Sequence, residues 1–234
     1  MDVSTIALAV WLTFLGRASG QSVLHVDLTI DRGTTSLRLM NAALREAAAI
    51  WAPYDIDVTA ADCSRDPRTH SIPMHVVVRS HHGPDTHEGT IGSIAFAADT
   101  PLPDVSLYVD DVDALLAATL GEEVHGWPVA QRDEVEARAL GRALAHEIGH
   151  YLLRTREHAR SGLMRANHEM PSLIAPERRQ FSLSAPEVVR LVFLHPSLLE
   201  PANRVTGRVT DHRNSSESNP ALAPPRMRTS MSYR

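Results

Sequence analysis

Residues 132–153, RDEVEARALGRALAHEIGHYLL, constrain this chain more than any other stretch. Leu140, Leu144, Ile148 and Leu152 recur at four-residue steps as one apolar stripe, and that spacing predicts a helix over 132–153. Acidic residues in its first turns suit the positive end of the helix dipole. His146 and His150 fall on a neighbouring face, one turn apart, together with Ala139 and Ala143. The small residues leave room on that face for something to approach.

Two imidazoles four residues apart on a helix can reach one tetrahedral ion. Glu147 directly follows the first of them, and it is expected to hydrogen-bond a water on that ion. Zinc lowers the pKa of such a water toward neutrality. A neighbouring carboxylate then takes its proton during attack on a carbonyl carbon and passes it to the leaving amine. The chain holds 13 histidines, so His-Glu-x-x-His would arise by accident in roughly a few per cent of such chains. The helical setting and the small residues around it therefore carry much of the weight. A catalytic zinc takes three protein ligands and keeps one position for water, so a third ligand is required.

Upstream, 23–30 alternates with period two and reads as a strand. Residues 34–52 follow with helical spacing, a capping Ser36 and a terminating Pro53. Residues 54–60, 73–80, 91–98 and 105–111 read as four further strands, with 99–104 as a connection. Downstream, 184–194 reads as a last helix with Ser184 and Glu187 spaced as a capping box. The fold class expected is α+β.

Composition narrows the choices. With 234 residues the chain suffices for one domain with a real core, and 43% hydrophobic against 22% charged residues marks it as globular. A net charge of −5 with no dense basic run excludes nucleic acid and anionic membrane surfaces as expected partners. Residues 4–16 are apolar and too short to span a bilayer comfortably. Ala18 and Gly20 follow at signal-peptidase spacing, although the residues ahead of the apolar stretch, MDVS, include no Lys or Arg. Residues 1–20 are therefore expected to be a signal peptide, with the product secreted or periplasmic, monomeric and free of stable membrane association. Residues 201–234, rich in Ser, Asn, Pro and Arg, are expected to be a disordered tail. Cys63 is the only cysteine, so no internal disulfide supports the domain.

The stretch HEIGHYLLRTREHARSGLM (146–164) resembles the zinc-binding segment of metzincin peptidases, with matrixins the nearest branch. Their pattern is His-Glu-x-x-His-x-x-Gly-x-x-His. Here Leu153 stands at the glycine and Arg156 at the third ligand. The resemblance implies His158 as that ligand, carried by a turn two residues longer, and Met164 as the methionine beneath the site. His168 and Glu169 are the competing ligands, although 164–172 does not read as the second helix from which a glutamate ligand would come. No tyrosine follows Met164 in the family's manner.

The likeness extends to GTIGSIAFAADTPLPDVSLYVDDVDAL (89–115) and covers about 23–194. It implies a twisted mixed sheet of about five strands, a backing helix, the active-site helix and a small C-terminal subdomain with one helix, within a catalytic domain spanning 21–200. It also implies a peptide or protein substrate lying extended along an edge strand at Gly92, Ser93, Ile94, Ala95 and Phe96, with Zn(2+) as cofactor. Matrixins carry a second, structural zinc, for which His81, His82, Asp85 and His87 are candidates. Their irregular spacing favours an ordinary polar loop. The expected activity is that of a secreted zinc endopeptidase. A non-proteolytic zinc-binding module and a zinc amidase are the alternatives.

Overall fold

The computed structural model describes residues 23–61, 71–83 and 89–199. The expected signal peptide and tail, Cys63, Asp85 and His87 lie outside the described residues. The alternating strands sort their side chains by polarity. In β1 (Leu24–Asp31), Val26 and Leu28 are buried and Asp27 and Thr29 face the other way. β2 (Ile56–Ala60), β3 (Ser71–Arg79) and β5 (Thr100–Tyr108) repeat the pattern with Val58, Val76 and Leu107 inward. With β4 (Gly92–Ala97) they form one sheet in the order β2-β1-β3-β5-β4. Every pairing is parallel except β4 on β5. The architecture is α+β with a mostly parallel five-stranded sheet.

A parallel sheet is usually covered on both faces. This one buries a single apolar face and lays cross-strand polar pairs over the other: His25 with Asp57 at 3.1 Å, Thr59 with Asp27 at 3.1 Å and His75 with Asp104 at 3.6 Å. The helices α1 (Leu37–Trp51) and α3 (Val129–Leu153) therefore share the apolar side. Ser36 caps α1 as expected, its Oγ accepting from Leu39 N at 3.1 Å. The two helices cross closely at Gly141, where a Cβ would lie 2.5 Å from the Ala43 carbonyl oxygen. Nearby, Trp51 Nε1 donates to the Ala145 carbonyl at 3.1 Å. The expected stripe Leu140, Leu144, Ile148 and Leu152 is wholly buried. At ~25 cal/mol per Å² of apolar surface, a fully buried leucine or isoleucine contributes about 1.5–3 kcal/mol, so α3 is held chiefly by packing.

Three expectations are corrected. Residues 99–104 are not a connection, because β5 already begins at Thr100 and the turn is at Ala98–Asp99. Pro101 and Pro103 are tolerated there because β3 pairs with β5 only from Asp104 onward. Asp110 and Asp111 do not end a strand. They form the first turn of α2 (Val109–Leu120), where the helix dipole favours them. α3 starts at Val129, three residues before the expected Arg132. After it come a one-turn helix, α4 (Met170–Ile174), and α5 (Ala185–Leu194) with the expected capping box.

Between α2 and α3 the buried carboxyl of Glu136 meets Asp113, with Arg132 Nε 3.0 Å from Glu136. Burial first, and Asp113 second, push the Glu136 carboxyl up to about 7, while Arg132 opposes the shift. A carboxyl raised on folding binds its proton more tightly in the folded state. Its stabilisation is therefore full below the usual carboxyl range and is lost as pH rises through about 7. Glu136→Gln should thus melt progressively higher relative to wild type between about pH 5 and pH 8, by on the order of 1 kcal/mol or more. A difference that stays constant with pH would refute this assignment.

Candidate metal centre

The second half of α3 is buried on all sides, with His146 and Glu147 each 2% exposed and His150 4%. Burying a polar ring without partners is costly, and each ring has one. His146 Nδ1 lies 2.7 Å from the Leu163 carbonyl oxygen and His150 Nδ1 lies 2.8 Å from that of Thr155. A carbonyl only accepts, so both Nδ1 atoms carry the proton. In the neutral rings both Nε2 atoms are then bare acceptors, and they face one another at 2.9 Å.

His158 completes the group. Its ring stacks on His146 with centroids 5.3 Å apart and stands edge-on to His150 at 4.9 Å. One ligand nitrogen from each of the three rings lies within 4.8 Å of the others, and among the described residues this is the only cluster of its kind. Three imidazoles this close could hold a metal ion, and imidazole is a ligand type that suits zinc among other ions. Protonation does not compete strongly. Burial is the leading cause that lowers all three rings, taking His146 well below the usual imidazole range and His150 to about 4.

The bend that delivers His158 does not turn at Leu153, which stands at the glycine of the family pattern. Leu153 remains helical, and Arg154 takes the left-handed conformation (φ 48°) one residue later. Its N–H still reaches back to the helix carbonyls. Thr155 N donates to the His150 carbonyl at 3.1 Å, and Arg190 Nη2 holds the Arg154 carbonyl at 3.0 Å. These bonds offset the roughly 1–3 kcal/mol that a non-glycine residue costs in that region.

The segment after His158 folds back under the helix. Ala159 N donates to the Met164 carbonyl at 2.7 Å, and Gly162 turns with φ 82° against the backbone of Ser182. Met164 is 1% exposed, and its sulfur packs where Gly149 has no Cβ. Gly149 was the signal in the sequence for that close approach.

The competing ligands take other places. Glu169 is exposed at the N-cap of α4. His168 lies beside the cluster, 6.4 Å from the His146 ring, with Nε2 3.4 Å from the same Leu163 carbonyl. His81 and His82 pair with the start of α2: His82 Nδ1 meets Asp111 at 2.8 Å, and His81 lies 3.4 Å from Asp110.

Among the described residues β4 ends the sheet beside β5, and it passes close to the site. A Cβ on Gly92 would meet Ala143 at 3.3 Å, a tight contact, and Glu147 at 3.5 Å, an ordinary one, so the strand runs within van der Waals reach of both. At its other end, Phe96 stands edge-on to His150 at 6.1 Å. Beside His146 opens a cavity of about 140 Å³ walled by Ile91, Leu115, Ala143, Met170 and Leu173. Sequence reasoning missed Arg142, which is fully buried one turn before His146. It bonds Glu46 at 3.0 Å and the carbonyls of Ser172 (2.6 Å), Ala175 (2.7 Å) and Glu177 (3.2 Å). Its only sequence signal is a cation in step with His146 and His150.

Compared with known proteins, the chain matches no family model and no curated protein. No helix among the described residues is long and apolar enough to cross a membrane.

Metal analysis of the purified chain distinguishes the ligands. His158→Ala should lose the bound ion, because two imidazoles leave the set incomplete. Glu169→Ala should keep it at the wild-type stoichiometry. The opposite pair of results would place the third ligand elsewhere.

Proposed function

We propose that the chain is a secreted, zinc-dependent endopeptidase of the metzincin type. The observation that carries this reading is the convergence of His146, His150 and His158 around one point, with Glu147 beside them and the last strand of the sheet alongside. His146, His150 and His158 would hold a zinc ion, which would supply Lewis acidity toward a water and a scissile carbonyl.

The protein's own groups account for the rest. The Leu163 and Thr155 carbonyls fix the rings so that both Nε2 atoms point inward. The outer edge of β4 offers backbone N–H and C=O groups to an extended peptide, giving affinity with little sequence choice. Gly92 brings that edge up to Glu147, which positions the peptide's scissile bond beside the carboxylate. Glu147 takes the proton of the attacking water and returns it to the departing amine. The cavity beside His146 has about 140 Å³, comparable to a cavity of ~150 Å³ that accepts a benzene ring. Its apolar walls suit a leucine- or phenylalanine-sized side chain of the substrate.

Glu147→Gln provides the test. The variant should bind zinc as wild type does and lose about 10²–10⁴-fold in kcat on a peptide library. Retained turnover would remove Glu147 from the role of base. Zinc binding by wild type without cleavage of any peptide would favour the non-proteolytic alternative.

A further inference from the structure

Arg156 stands where the metzincin pattern places its third ligand, and the metal reading leaves it without a task. Its guanidinium carbon lies 4.5 Å above the centroid of the Phe96 ring. Nη2 donates to the Ala98 carbonyl, and Nε stands 3.8 Å from Asp99 Oδ1. Phe96 in turn meets the ring of His150. A stack thus runs from the bend through the edge strand to a ligand. Ala98 turns the chain out of β4 with φ 52°, a conformation that a residue with a Cβ seldom adopts, and the bond from Arg156 holds that turn.

The bend needs such an anchor. His158 arrives on a loop rather than on a helix, and ordering a loop costs backbone entropy at every residue. Within the bend, the Glu157 N bond to Thr155 Oγ1 at 3.0 Å is purely local. Arg190 ties the start of the bend to α5, and Arg156 ties its middle to the end of the edge strand. We propose that Arg156 is a positioning residue: it locks the ligand-bearing bend to the end of the edge strand, steadies His150 and His158 from that side, and ends the peptide-pairing edge at Ala98. Stacking on a ring while bonding a carbonyl uses the planar fork of arginine, and the ammonium of lysine does not reproduce it.

This inference rests on the metal reading, and its test separates the two. The full chain and its R156A and R156K variants are titrated with zinc against a chromophoric chelator, and the metal-free proteins are melted in parallel. Both variants should bind zinc about 10-fold to 100-fold more weakly, in the range seen when partners that orient ligands are removed. Their metal-free melting temperatures should match wild type. Unchanged affinity in R156A overturns the proposal, as does full recovery in R156K or a loss of affinity matched by a lowered metal-free melting temperature. A wild-type chain that binds no zinc overturns the metal reading and this inference with it.

Discussion

Two imidazole nitrogens that can only accept hydrogen bonds face each other across 2.9 Å in the interior. Each is aimed by a carbonyl on the far side of its ring, so neither can relax by exchanging its proton from one nitrogen to the other. Burial also disfavours the imidazolium form, so added protons do not relieve the approach near neutral pH. A third ring closes on the same point. Three convergent neutral imidazoles of this kind could hold a metal ion.

The scaffold is arranged to permit that approach. The second half of α3 is largely buried, and two glycines mark where other parts come too near for a Cβ: Gly141 against α1 and Gly149 against Met164. Arg142 fastens the segment around Ser172–Glu177 to α3 through three carbonyls, and its charge is met by the buried Glu46, which also pairs with Arg178 at 2.7 Å. Breaking one partner of such a pair would strand a buried charge at a cost of about 3–5 kcal/mol. The segment that includes Met170 and Leu173, two walls of the cavity, is therefore tied directly to the helix that carries the histidines.

Much of this was legible in the sequence, and the reasons are uneven. The stripe at Leu140, Leu144, Ile148 and Leu152 determined α3, and helix geometry then brought His146 and His150 together without further information. Alternation marked the strands at 23–30 and 54–60, and a β-branched run marked the one at 73–80. His158 was reachable only through a family resemblance, since no local rule sets the length of a bend or says that Arg154, rather than Leu153, takes the left-handed turn. α2 was missed because its Val109 follows a β-rich run, and Asp110 and Asp111 look the same at a strand end as at a helix start. The pairing of His81 and His82 with those aspartates was hidden for the same reason. The orienting carbonyls of Leu163 and Thr155 are backbone groups and leave no mark on the sequence at all.

Zinc X-ray absorption on the chain loaded with one equivalent of metal reads the donor atoms around the ion directly. The account predicts one zinc per chain in a four-coordinate shell of three imidazole nitrogens and one further light atom at ~2.0–2.1 Å. A shell with fewer than three imidazoles, or one filled entirely by protein ligands, would contradict it.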